Sequence, residues 1–226
     1  MRYTKVKVAK FIDRPNRFIA HVEVDGNIET VHVKNTGRCK EILKPGVTVI
    51  LDEPDNPNRK TKYDLIAVYK EGLGLINIDS QAPNKVAADM LRTKDFAYIK
   101  PEFNYGNSRI DFYMEDKAGN KYLMEVKGCT LEYDKVGYFP DAPTERGVKH
   151  LKELIKATRD GYRCALAYVI QMEGIDEVRP ESNIHKEYAD TFEQAKAAGV
   201  KIIYIKCKVR EESLEYLSDD LSIEMW

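Results

Sequence analysis

Residues 108–127, SRIDFYMEDKAGNKYLMEVK, constrain the fold more than any other stretch, because apolar and polar residues alternate on both sides of a short turn-forming segment. A period of two marks a half-buried strand, and two such runs across a tight connection read as an antiparallel hairpin. Centring the turn on Ala118 sets Asp111 directly across from Glu125. Opposed residues in such a pair have Cβ atoms about 4.5–5.5 Å apart. Lys127 lies two residues past Glu125 and shares its face, whereas Met124 and Val126 point the other way. Three ionisable groups therefore converge over an apolar underside.

Two facing carboxylates repel unless a cation separates them. Mg²⁺, or Mn²⁺ in its place, is the expected cation, since hard ions of this kind take oxygen ligands, are held by one or two carboxylates and assist attack on phosphates. In that reading Asp111, Glu125 and the Val126 carbonyl hold the ion. Lys127 stabilises charge on the phosphate or orients the attacking water. Replacing either acid by its amide should then leave the metal-free protein no less stable, because a repulsion is relieved. Spacing alone equally suits a solvated hairpin face in which Lys127 neutralises two acids.

Around this hairpin the chain changes texture near residue 80. Before it come short alternating segments, Val6/Val8, Phe18 to Val24, Val31/Val33, Val47–Leu51, Leu65–Tyr69 and Leu73–Ile78, with Asp25-Gly26 as a hairpin turn. Such a run of short strands suits a small Greek-key barrel of the OB type. After Pro83 the pattern is mixed: a helix over 84–92, strands over 98–105, 109–115 and 121–127, a helix capped by Thr144, a buried strand over 164–171, a helix over 186–198 ended by Gly199, and a strand over 200–207. The expected class is α/β with an all-β N-terminal part, a barrel over 1–83 and a mixed-sheet α/β domain over 84–226. The acidic end, 211–226, with six Asp/Glu and no Lys/Arg, reads as a solvated tail.

Asp111, thirteen intervening residues and then Glu-Val-Lys resembles the PD-(D/E)xK nuclease signature. Longer segments are more specific: RPNRF (14–18), NTGR (35–38), DNPNRKT (55–61), QAPN (81–84), YGNSRIDF (105–112), EVKGCTL (125–131) and FPDAPTERGVKHL (139–151), in order over nearly the whole chain, resemble the sugar fermentation stimulation protein family. The resemblance implies an OB-type N-terminal domain, a nuclease-like C-terminal domain, DNA binding and a part in regulating sugar catabolism. It also implies a place beside the metal for Gln171, at the end of the buried strand.

Basic loops are the candidate DNA contacts: Arg14 and Arg17 after the first strand, Lys34, Asn35 and Arg38 in KNTGRCK, and Arg59 and Lys60 in NRKTK. Cationic side chains neutralise phosphates, although loops carry Lys and Arg simply because they are wet. Arg146, Lys149 and His150 either meet the substrate strand or form a solvated helix start, with Thr144 beside them. Glu102 and Arg109 are further candidates near the acids. Residues 1–83 hold 14 Lys/Arg against 11 Asp/Glu and the remainder 22 against 26, so no global basic field exists and a local groove must do the binding.

The four cysteines are scattered without CxxC or zinc spacing, which predicts reduced core thiols. No apolar run approaches the roughly 18 residues of a membrane span, and the start of the chain alternates like a strand, so a cytoplasmic protein without membrane contact is expected. Oligomeric state is left open. The expected function is a Mg²⁺-dependent phosphodiesterase on DNA, with RNA as the alternative polymer. Competing readings are a non-catalytic DNA-binding regulator and an RNA-binding or adaptor protein whose acids hold structural metal.

Overall fold

A computed structural model describes residues 1–56 and 58–221. Six strands come first: β1 (Val6–Asn16), β2 (Ile19–Val24), β3 (Asn27–Val33), β4 (Thr48–Asp52), β5 (Asp64–Lys70) and β6 (Gly74–Asn77). Asp25 and Gly26 join β2 to β3 with φ of 52° and 77°, the two left-handed residues that a type I′ hairpin turn requires. β1 pairs with both β2 and β4, β4 with β5, and a parallel contact of β3 with β5 at His32↔Asp64 closes the ring. This is the 1-2-3-5-4-1 closure of an OB-type barrel, with β6 added on β5. Alternation supplies its interior: Ala20, Val22 and Val24, then Val31 and Val33, are buried. Each such Val side chain contributes roughly 1.5–3 kcal/mol on burial.

Helix α1 (Ala82–Leu91) leads to β7 (Tyr98–Tyr105), β8 (Ser108–Glu115) and β9 (Lys121–Cys129). Short strands β10 (Leu131–Tyr133) and β11 (Val136–Phe139) follow, then α2 (Glu145–Arg159), β12 (Arg163–Ile170), β13 (Val178–Pro180), α3 (Lys186–Ala197), β14 (Lys201–Arg210) and β15 (Ser213–Asp219). The main sheet runs β15-β14-β12-β9-β8-β7, with β9, β12 and β14 parallel. Being covered on both faces, β12 is buried and mostly apolar from Cys164 onward, as parallel core strands are. Its Ala165, Ala167 and Val169 join α1 residues Val86, Met90 and Leu91, while Leu166, Tyr168 and Ile170 join Val148, Leu151 and Leu154 of α2 and Tyr188 and Phe192 of α3.

The barrel and the main sheet share a core on the α2/α3 side. Asn77 N–H donates to the Gln171 carbonyl at 2.9 Å, and Ile76 bridges Met172. Residues 1–3 cross over: Arg2 bridges Ser213, and Tyr3 N–H donates to Glu212 O at 2.8 Å.

Three expectations need correcting. Residues 213–219 are an ordered edge strand antiparallel to β14, because Leu214 fills the α1-side core behind an acidic exterior; 222–226 lie outside the described residues. Strands β10, β11 and β13 were not expected, being three or four residues long. Helical spacing after Thr144 predicts Ile155 buried with Val148, Leu151 and Leu154, whereas it is half-buried and packs against the edge of the core they join. All four cysteines are buried free thiols, and burial pushes Cys129, Cys164 and Cys207 up to about 12.

Candidate active site

The β8–β9 register, Glu115↔Lys121 through Phe112↔Met124, ends one residue short of Asp111 and Glu125, which its extension sets level. Beyond Phe112 a side chain takes over from the ladder. Asp111 Oδ2 accepts the Val126 N–H at 2.8 Å, and Oδ1 accepts Asn84 Nδ2, from the first turn of α1, also at 2.8 Å. Asp111 is thereby held from both strand and helix.

Glu125 points the opposite way from Met124 and Val126, under α2, and is 1% exposed. Thr144 caps that helix by accepting Gly147 N–H at 3.1 Å, and the buried stripe Val148, His150, Leu151 and Leu154 faces the sheet. His150 Nδ1 bonds Glu125 Oε1, and Arg146 Nε donates to His150 Nε2 at 3.4 Å. These partners define the tautomer: Nδ1 carries the proton and Nε2 accepts. Lys127 Nζ also bonds Glu125 Oε1, lying 3.4 Å from His150 Nδ1. Glu125 is the hub of the cluster.

The two acids are electrostatically unlike. Burial is the largest influence on both. Burial and then the charge of Glu125 raise the Asp111 carboxyl above its ordinary value. At Glu125 burial pushes upward too, but the Lys127 charge and the His150 hydrogen bond outweigh it and hold the group below its ordinary value. Glu125 Oε2 is buried without a hydrogen-bond partner among the described residues. An orphaned carboxylate oxygen next to an acid whose ionisation is disfavoured is a donor set that a hard divalent cation fits.

Between barrel and main sheet lies a cleft of about 730 Å³ whose lining includes Pro83 and Gly128, the chain neighbours of Asn84 and Lys127. Arg17, Arg38 and Lys40 line it from the barrel loops, and Gly128, Phe139 and Thr144 from the other side. Arg14 belongs to its frame: the guanidinium donates to the carbonyls of Arg17, Asn35, Gly37 and Arg38 at 2.7–2.9 Å. Asp141 reaches across from the second domain. Its carboxylate packs where a Gly37 side chain would stand, 3.8 Å from Cys39 Sγ, and burial raises it above its ordinary value.

Several expected site residues are engaged by other partners, Gln171 while lining the cleft. Gln171 is buried, but its Nε2 donates to Asn77 Oδ1 (3.0 Å) and Asp79 O (3.1 Å), tying the main sheet to the barrel. Lys34 forms a 2.8 Å ion pair with fully buried Asp79. Arg59 pairs with Asp64 on a loop remote from the cleft lining, where Lys60 is exposed. Glu102 is level with Asp111 in the β7–β8 register, yet its φ of 55° interrupts the ladder and its exposed carboxylate lies 3.6 Å from Arg109. Lys149 Nζ donates to Asn107 O at 2.6 Å. Asn84 was not expected at the site, and His150, expected either to meet the substrate strand or to start a solvated helix, is instead buried against Glu125. The signal for His150 was its spacing from Leu151 and Leu154 on one helical stripe.

Glu145, His185 and Glu187 also bring potential ligand atoms within 4.8 Å of one another. His185 Nδ1 accepts Thr144 N–H at 3.2 Å, which leaves the proton on Nε2, 3.5 Å from Glu145 Oε1. That tautomer offers a metal no lone pair and makes the group a hydrogen-bonded pair of helix ends.

Comparison with known proteins accounts for the combined architecture. Residues 12–78 match the family model described as the SfsA N-terminal OB domain, and residues 81–213 the sugar fermentation stimulation protein RE domain. The sugar fermentation stimulation protein homolog of Clostridium beijerinckii is 51% identical over 218 residues, covering 95% of this chain and 96% of the relative. That of Desulfitobacterium hafniense is 52% identical over 219 residues, covering 95% of each. A solved structure of Pyrococcus furiosus SfsA in complex with Ca²⁺ superposes with a TM-score of 0.84 at 27% identity, over 97% of this chain and 96% of that one. By sequence along its whole length and by fold, the chain belongs to the sugar fermentation stimulation protein family.

Proposed function

We propose that this chain is a divalent-metal-dependent phosphodiesterase acting on DNA, with Asp111, Glu125 and the Val126 carbonyl holding Mg²⁺ or Mn²⁺. The carrying observation is the buried Glu125 Oε2, without a hydrogen-bond partner among the described residues, in a cluster with Asp111 and Lys127. Ca²⁺ in the Pyrococcus relative supports a divalent ion in this fold. When bound, the ion would neutralise phosphate charge and polarise water. The chain's own groups do the rest. Asn84 and the Val126 N–H orient Asp111, and His150 fixes Glu125 through Oε1, leaving Oε2 to face the ligand. Lys127 supplies a fixed positive charge to the phosphate. The barrel, over 1–83, binds the polymer, the domain over 84–226 carries the chemistry, and the setting is the cytoplasm.

A second reading, a non-catalytic DNA-binding regulator of sugar catabolism, draws on the same cluster: Lys127 and His150 already satisfy one oxygen of Glu125 without metal. Purified protein incubated with single- and double-stranded DNA and RNA in Mg²⁺, Mn²⁺ or EDTA decides between them. Metal-dependent cleavage abolished by Asp111→Asn supports the enzyme. DNA binding without cleavage in any condition supports the regulator.

A further inference from the structure

The cleft is lined by residues in or next to α1, β9 and α2, three of the elements that build the acid cluster, and by none of Asp111, Glu125 and Lys127 themselves. Pro83 precedes Asn84, Gly128 follows Lys127, and Thr144 caps the helix that carries Arg146 and His150; all three line it. Gly128 can be nothing larger, since a Cβ there would strike Gln171 Oε1 and lie 2.8 Å from Pro83 Cγ. Gln171 and Pro83 therefore pack closely against the backbone immediately beyond Lys127, at the edge of the cleft. The cleft thus begins one residue along the chain from Asn84 and from Lys127.

The lining has two chemistries. Arg17, Arg38 and Lys40 are exposed along the barrel side, and Arg14 holds the two loops that carry them by binding four of their carbonyls. Opposite are the half-buried rings of Tyr138 and Phe139. Cations tracking a backbone together with ring faces are the recognition set for unpaired nucleotides, whose bases are free to stack. A duplex keeps its bases inside and presents only phosphates and groove edges. At about 730 Å³ the cleft falls within the ~300–1,000 Å³ of sites that enclose small ligands, which suits splayed nucleotides and not a duplex.

We propose that the cleft takes an unpaired strand, so that the preferred substrate is single-stranded DNA or a duplex with an unpaired tail. This rests on the nucleic-acid reading above and specifies its substrate. The test is fluorescence anisotropy with the full chain in Ca²⁺ and in EDTA, using one sequence as a single strand, a blunt duplex and a duplex with an unpaired tail. Single strand and tailed duplex should bind at least about tenfold more tightly than the blunt duplex, and Arg38→Ala with Lys40→Ala should erase that advantage. Both side chains are exposed, so the double variant should keep the wild-type melting temperature and its shift on adding Mn²⁺. Equal affinity for the three oligonucleotides, or a preference that survives the double variant, overturns the proposal. Absence of metal-dependent cleavage with the strand preference intact would instead sink the phosphodiesterase reading and leave this one standing.

Discussion

Asp111→Asn and Glu125→Gln should move the stability of the metal-free protein in opposite directions, although sequence reasoning expects neither to be destabilising. Asp111 falls level with Glu125 by extension of the β8–β9 register, and its ionisation is disfavoured by burial and by that neighbour. Two carboxylates ~5 Å apart at an effective dielectric of ~20 repel by roughly 3 kcal/mol, and weakening the Val126 and Asn84 hydrogen bonds returns about 1 kcal/mol each. The net gain for Asp111→Asn is about 0–2 kcal/mol. Glu125 is the buried anion of Lys127 and His150, and removing one partner of such a pair costs about 3 kcal/mol even with an isosteric amide. At ~2–4 °C per kcal/mol for a chain of this size, Glu125→Gln should melt about 6–12 °C lower in EDTA, with Asp111→Asn level or higher. The signs carry a pH signature. Because the Asp111 carboxyl is raised, its contribution is favourable when protonated and is lost as pH rises above ~4, so the Asn advantage grows there. Because the Glu125 carboxyl is lowered, its contribution is present at neutral pH and fades as pH falls below ~4. Mn²⁺ at a hundred times its Kd should add about 2.7 kcal/mol, roughly 5–11 °C, to the wild type and nothing to either variant. Calorimetric melts in EDTA and in Mn²⁺ read all of this. Equal apo shifts for the two variants would refute the assignment of Glu125 as hub, and an equal Mn²⁺ response in all three proteins would remove both acids from the ligand set.

Other substitutions separate roles that lie close in space. Lys127→Ala should cut cleavage at least about a hundredfold, measured in single turnover, while keeping most of the Mn²⁺-induced shift, because the lysine acts on the phosphate and not on the ion. Gly128→Ala should cost about 1–3 kcal/mol in thermal melts, since its methyl would meet Gln171 and Pro83. Lys34→Met should cost about 3–5 kcal/mol by leaving buried Asp79 without its cation; a loss of DNA binding at unchanged stability would instead restore Lys34 to the nucleic-acid surface.

What the sequence determined by itself is whatever local period and turn chemistry dictate. The β2–β3 and β8–β9 hairpins, the Thr144 cap and the level placement of Asp111 and Glu125 all follow from residues near one another in the chain. Short apolar or alternating runs also yielded the six barrel strands, β2 and β3 burying alternate residues and β4 and β5 burying nearly all of theirs. Short β10, β11 and β13 and acidic β15 escaped, since strands that brief or that polar owe their existence to partners far away in sequence. Tertiary structure completes the separation of Glu125 from Asp111: besides the nearby Lys127 charge, a helix that begins twenty residues later delivers His150 to Glu125. Likewise it divided the basic residues: Arg17 and Arg38 face the cleft, whereas Lys34, Arg14 and Arg59 are committed to Asp79, to loop carbonyls and to Asp64. A charge's role depends on what lies within a few ångströms of it, and that is settled by packing between segments that the sequence keeps apart.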